Sequence, residues 1–257
     1  MKAIAIIPAR MESSRFPGKP MADIHGMPMI GHCYLRTRMC MDLIDTYVAT
    51  CNQEIAEYIE SIGGKAIMTS TSHERATDRT AEAMLKIEQQ LGYQVDIVVM
   101  VQGDEPMTTP AMITQALKPF LLDADVNVVN LMLDIESGSE FEDPNEVKVV
   151  VDKNSDALYF SREPIPSKRK GIINGPMLKQ VCVIPFKREF LLKFNSMKET
   201  ILEKIESVDM LRVLENGDKV RMIYSDTSSF SVDTEQDLAN VVNKMADDNL
   251  MQAYLPK

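Results

Sequence analysis

"IPARMESSRFPGKP", residues 7–20, begins where the first apolar run of the chain ends. Residues 3–7, Ala-Ile-Ala-Ile-Ile, read as a short buried strand that Pro8 ends and feeds into a loop. The loop holds Arg10, Arg15 and Lys19 beside Ser13, Ser14 and Gly18. Cations so close in sequence repel one another unless an anion sits between them. Small residues let backbone amides approach such an anion, while Arg offers a planar fork and Lys a point charge. A solvated basic surface loop is the plainer alternative, and composition leaves it open. A Walker A loop is excluded, because Pro20 follows Lys19 and the paired glycines of that motif are missing.

The pattern repeats further along. Pro28 opens a helix through about Arg38, residues 46–49 form a strand, and Asn52 stands where it can cap a helix over 53–62. Gly63 and Gly64 stop that helix, and residues 65–68 form a third strand. The polar stretch "TSTSHERATDR" (69–79) precedes a helix over 80–91. "DIVVMVQ" (96–102) is the clearest buried strand, with Asp96 at its far end in a structural place. Such strand–helix alternation predicts an α/β fold with a mostly parallel, doubly wound sheet. Ligands of such sheets bind beyond the carboxyl ends of the strands. The basic loop, "HERATDR" and "QGDEP" all fall on that rim.

The second half is less regular. Strands are expected at 126–133, 147–151, 157–160, 180–184 and 220–224, in a mixed sheet with a hairpin extension. Helices are expected at 187–194 and 210–214, and Thr234 caps a final helix with Asp237 at its third position. No repeat, low-complexity tract or long linker divides the chain, so residues 1–257 read as one domain.

With 38 acidic and 28 basic residues the formal charge is −10, which disfavours non-specific nucleic-acid binding. No apolar run approaches the roughly 18 residues of a membrane span, and the amino end does not read as a signal peptide. Cys33, Cys40, Cys51 and Cys182 form no Cys-x-x-Cys pair, which suits reduced thiols in a cytoplasmic protein. His25 and His32 pair with no cysteine or acid at metal or triad spacing, and His73, in the polar loop, is placed to hydrogen-bond a ligand or the loop itself. Most of the 19 methionines, such as Met84 and Met112, fall at core spacing.

Two acids stand out. Asp104 in "VQGDEP" follows a strand end, where a carboxylate suits a hard cation shared with phosphates or simply a turn. Asp233 in "SVDTEQDL" precedes a helix, where an acid suits the same cation or a cap.

Taken together, "IPARMESSRFPGKP", "HERATDR", "VQGDEP", "DPNEVKVVVDKNSDALYFSREPIP", "LRVLENG" and "SVDTEQDL" run in this order over nearly the whole chain. As a set they closely resemble the CMP-Kdo synthetases, the 3-deoxy-manno-octulosonate cytidylyltransferases, of the nucleotide-sugar transferase fold. The resemblance implies transfer of CMP from CTP to a sugar acid, with release of pyrophosphate and no covalent enzyme intermediate. It implies CTP contacts from Pro8, Ala9, Arg10, Ser13, Arg15, Lys19, Thr77, Asp78, Arg79 and Gln102. Asp104 and Asp233 match the family's Mg²⁺ ligands, so that Arg15, Lys19, Asp104 and Asp233 carry the chemistry. Gln102 and Arg162 fall where the sugar acid is met. A nucleotide-binding half over about 1–135, a sugar-binding half over 136–257 and a homodimer are implied as well.

The sequence also departs from that pattern. "QVCVIPFK" (180–187) puts Gln180 at a sugar-contacting histidine and Ile184 at a tyrosine. Asp209 stands near a glutamate expected before "LRVL", and Arg75–Ala76 replace a serine and a glycine. A site built to bond a given hydroxyl discriminates strongly, so these changes open a modified acceptor, such as the 8-amino analogue, a nonulosonic acid or a phosphonate, beside Kdo itself, which stays the leading expectation. A catalytically silent nucleotide binder is the alternative of a different class, although two metal-placing acids argue against silence.

Overall fold

The computed structural model describes residues 1–12, 15–168 and 175–255; Ser13, placed near the nucleotide above, lies outside them. The chain forms two compact units, Met1–Thr114 with Ser229–Lys257, and Gln115–Ser228.

The first unit contains β1 (Ala3–Ala9), a small hairpin of β2 (Asp23–Ile24) and β3 (Met27–Pro28), and α1 (Met29–Arg38). β4 (Asp45–Thr50), α2 (Gln53–Ser61), β5 (Ala66–Met68), α3 (Ala76–Leu91) and β6 (Ile97–Val101) follow. Four of its strands lie parallel in the order β6-β1-β4-β5. Every residue of β6 is buried, as are all but one of β1, as expected for a sheet covered on both faces. The chain steps outward from β1 to β4 and β5, then returns to β6 on the other side of β1. The strand order therefore reverses between β1 and β6, which opens a crevice at their carboxyl ends.

Pro8 continues β1 instead of ending it. The ladder with β6 runs from Ala3 only to Ile6, whereas pairing with β4 continues through Pro8 and Ala9. A proline without an N–H is tolerated where one neighbour has already left. α3 begins at Ala76, four residues before the start expected from the sequence, so Thr77, Asp78 and Arg79 form its first turn. Asn52 is the N-cap residue of α2 but makes no side-chain cap. Its Oδ1 instead accepts from Met11 N over 3.0 Å and so steadies the basic loop.

α4 (Pro110–Leu122), which carries Pro119 in its interior and has no counterpart in the sequence reading, leads into the second unit. There follow β7 (Val129–Asp134), α5 (Gly138–Glu142), β8 (Lys148–Val151), β9 (Ala157–Ser161), β10 (Leu178–Val181) and β11 (Val183–Lys187). α6 (Arg188–Ser196), α7 (Ile201–Glu206), α8 (Met210–Glu215) and β12 (Arg221–Tyr224) complete the unit. Its sheet has the order β12-β7-β10-β8-β9 and is mixed, with β12 parallel to β7 and the β8–β9 hairpin at one edge. The single strand expected over 180–184 is two, broken at Cys182. The chain then returns to the first unit with α9 (Glu235–Met245) and α10 (Asn249–Gln252). The capping box expected at Thr234 and Asp237 is present at the start of α9.

Candidate active site

A cleft of about 730 Å³ lies at the β1/β6 reversal, walled by the end of β1, the basic loop, residues 73–79 and the turn after β6. Gly103 allows the walls to meet, since a Cβ there would stand 3.0 Å from the Pro8 carbonyl oxygen. Gly18 (φ +74°) turns the basic loop back, its N–H donating to Met11 O over 3.0 Å, and so delivers Lys19 to the cleft.

Lys19 is the hub of the site. Its Nζ donates to Asp104 Oδ2 at 2.7 Å and to the Val232 carbonyl at 2.7 Å, and lies 3.5 Å from Asp233 Oδ1. Arg15 Nη2 reaches the same Asp233 oxygen at 2.9 Å. Val232 N donates to Asp104 O over 3.0 Å, joining the segment before α9 to the turn after β6. Burial pulls the Lys19 ammonium pKa down, but the Asp104 and Asp233 carboxylates outweigh it and leave the pKa raised. The ammonium therefore stays charged.

Pro8, Ala9, Arg10, Gln102 and Arg79 also line the cleft. Arg10 Nη1 donates to His73 O at 3.5 Å, and Arg79, nearly fully buried, donates to Thr69 Oγ1 and to His73 O. The two arginines thus donate to one carbonyl of the same loop. Thr77 is fully buried within α3 and Asp78 is half-buried beside it. His73, for which a ligand contact stood open, and Arg75, a departure from the family pattern, add to the walls, as do Glu74 and Glu12, which the sequence did not mark. Their adjacency to the motif residues was the one signal available. His73 Nε2 meets Glu82, whose carboxyl is pulled down to about 2: burial opposes this, and hydrogen bonds from Lys86, Ser70 and His73 prevail.

The remaining predicted residues belong to the second unit. Arg162 donates to the carbonyls of Glu206 (2.7 Å), Pro144 (2.8 Å) and Ser207 (3.4 Å). Gln180 Nε2 donates to Asn130 Oδ1 at 2.5 Å, Ile184 is buried, and Asp209 is the N-cap residue of α8. Burial pushes the Cys33 thiol far up, with Asp104 and Glu105 adding to it, so it is no nucleophile.

The donors of Asp104 and Asp233 are all oxygen, converging on one cation, which is the chemistry a hard divalent ion accepts. Among the described residues no three His, Cys, Asp or Glu side chains gather into a full metal cage. An ion held here needs further ligands from phosphate oxygens and water, as Mg²⁺ commonly takes them.

A switch-point cleft lined by Arg10, Arg15, Lys19, Arg79 and Asp104, with Asp233 bonded to Arg15 and near Lys19, is the arrangement that nucleotidyl transfer needs. The cytidylyltransferase family model matches residues 4–222. A 3-deoxy-manno-octulosonate cytidylyltransferase of Geobacter metallireducens is 43% identical over 256 residues, 96% of this chain and 98% of that one. The protein of the same name from Thermodesulfovibrio yellowstonii is 42% identical, covering 93% of this chain and 96% of its own. A solved CMP:2-keto-3-deoxy-manno-octonic acid synthetase complexed with CTP superposes with a TM-score of 0.88 at 38% identity, over 96% of this chain and 100% of that one. A 4-diphosphocytidyl-2C-methyl-D-erythritol synthase from Anaerococcus prevotii shares the fold, with a TM-score of 0.60 at 11% identity. The chain belongs to the 3-deoxy-manno-octulosonate cytidylyltransferase family.

Proposed function

We propose that this enzyme transfers CMP from CTP to the anomeric hydroxyl of Kdo. The anomeric oxygen attacks the α-phosphorus, the bond from that phosphorus to the bridging oxygen breaks in line, and pyrophosphate leaves. The hydroxyl proton passes to solvent. The observation that carries this reading is the Lys19 ammonium held between Asp104 and Asp233 at the β1/β6 crevice.

Such transfer needs little covalent chemistry from the protein, so positioning and charge neutralisation supply most of the rate. Arg10, Arg15 and Lys19 face the triphosphate, and Arg79 holds the opposite loop in place. Asp104 and Asp233 would hold Mg²⁺, which when bound neutralises phosphate charge and acidifies the attacking hydroxyl. Lys19, on the same cleft wall as Arg10 and Arg15, would place its ammonium against the charge of the departing pyrophosphate.

Kdo is the acceptor in the names of the Geobacter and Thermodesulfovibrio relatives. The departures at 180 and 184 have a simpler explanation than a new acceptor. Gln180 bonds Asn130, and Ile184 packs in the core of its unit. A cytoplasmic homodimer agrees with four cysteines that form no disulfide and with Leu158, Ile201 and Ile205, large apolar side chains left exposed on the second unit. No described helix is long and apolar enough to cross a membrane.

Pyrophosphate release from CTP, measured across Kdo, 8-amino-Kdo and nonulosonic acids, tests the assignment. Preference for Kdo is expected, and turnover confined to another acid overturns it.

A further inference from the structure

Arg36, in the last turn of α1, is only 2% exposed and lines no wall of the cleft. A buried guanidinium needs both a counter-charge and acceptors for its donors. Arg36 finds all of them in two places. Its Nε donates to Thr108 O at 2.8 Å and its Nη2 to Met107 O at 3.2 Å, while Nη1 meets the carboxylate of Asp248. Asp248, the N-cap residue of α10, also accepts from Leu250 N at 2.8 Å. A planar fork reaches three acceptors in fixed directions, which a lysine does not.

The carbonyls Arg36 holds end a short stack of turns. Glu105 N donates to Gln102 O and Thr108 N to Glu105 O, so the backbone from Gln102 to Thr108 behaves as one piece. Ser229 Oγ donates to the buried Glu105 carboxylate at 2.7 Å and Val232 N to the Asp104 carbonyl, and these bonds tie this piece to the segment before α9. The turn bearing Gln102 and Asp104 is therefore pinned at its near end by residues 229 and 232 and at its far end by Arg36.

We infer that Arg36, locked by Asp248 of the C-terminal segment, is a positioning residue that sets the Asp104 turn through the Met107 and Thr108 carbonyls. The segment after α9, which contributes nothing to the cleft walls, thereby acts on the reaction at a distance. The activity arm of the test rests on the function proposed above, whereas the exchange arm does not.

Asp248→Asn, Asp248→Glu and Arg36→Lys are compared with the wild-type chain by hydrogen exchange and by steady-state turnover of CTP with Kdo. In Asp248→Asn, exchange rises in the peptide covering 102–109 while β4 stays protected. The kcat falls about tenfold with KM for CTP within about twofold, because a small displacement at the reacting centre costs rate before binding. Asp248→Glu restores most of both, and Arg36→Lys, which keeps the charge but loses the fork, behaves like Asp248→Asn. A lowered melting temperature with unchanged kcat and unchanged exchange at 102–109 overturns the inference, as does a rise in exchange spread evenly over the unit. Wild-type protein that turns over no Kdo refutes the proposed function alone, and exchange at 102–109 then decides the positioning role.

Discussion

Lys19 Nζ donates to Asp104 Oδ2 over 2.7 Å, a bond between residues 85 positions apart that closes the cleft floor. It does so with Asp233 at its other side, so one cation serves two carboxylates. Lys19→Ala leaves those acids facing each other. Activity is expected to fall about 10²–10³-fold, the usual loss for one preorganised group that meets developing charge. The fold loses about 1–3 kcal/mol, the cost of leaving partly buried polar groups unmatched. In differential scanning fluorimetry Mg²⁺ should then raise the melting temperature of Lys19→Ala more than that of the wild type. An equal response in both would separate the carboxylates from metal binding.

Gly103→Ala tests the close approach of the cleft walls. The new Cβ would stand 3.0 Å from Pro8 O and 3.2 Å from Ile30 Cδ1, and the first of these is backbone. The strand end must shift by a few tenths of an ångström, at about 1–2 kcal/mol for an overpacked site. Titration calorimetry is expected to show weakened CTP binding in a protein whose far-ultraviolet circular dichroism is unchanged. Wild-type affinity would mean that the wall yields without consequence.

Much of this geometry was legible before any coordinates. β1, β4 and β6 announce themselves as apolar runs, because strands buried on both faces need no alternation. Once the sheet is parallel, topology alone puts the loops after those strands on one rim. What the sequence concealed has physical causes. α4 is hidden by Pro119, a residue that argues against a helix interior. The start of α3 is hidden because Thr77, Asp78 and Arg79 show no apolar period, although Thr77 and Arg79 are buried. The break at Cys182 falls inside a continuous apolar run, which carries no mark of it. Arg36 and Asp248 meet across 212 positions, and a buried ion pair leaves no local pattern to read.

The C-terminal segment also carries a pH-sensitive contact. His32 Nε2 lies 2.8 Å from the Ile24 carbonyl and Nδ1 2.7 Å from Tyr254 Oη. A carbonyl only accepts, so Nε2 bears the proton and Nδ1 accepts from the phenol. Burial holds the His32 pKa below its ordinary 6.5, and the hydrogen bond to Ile24 only partly offsets this. The unfolded chain then binds the extra proton first. Stability from this site is complete above pH 6.5 and is lost as pH falls from there toward the folded-state pKa, with a slope of at most about 1.4 kcal/mol per pH unit. Urea midpoints between pH 5 and 7.5 should decline toward acid in the wild type and decline less in His32→Gln. Parallel curves would remove His32 from the account.

In the second unit, the arginine of "LRVLENG" is a structural group. Arg212 Nε and Nη2 donate to the two oxygens of Glu203 at 2.8 and 2.5 Å, and Nη1 donates to Phe194 O at 3.3 Å. Glu203 is 0% exposed and Arg212 3%, so the pair ties α7 to α8 out of reach of water. Glu203→Ala strands a buried guanidinium and is expected to cost about 3–5 kcal/mol, whereas replacing both partners by apolar residues of similar volume costs far less. Denaturant unfolding of the two single variants and the double variant measures the coupling between them. If the double variant is destabilised by the sum of the singles, the two side chains contribute separately and the pair does not hold these helices together.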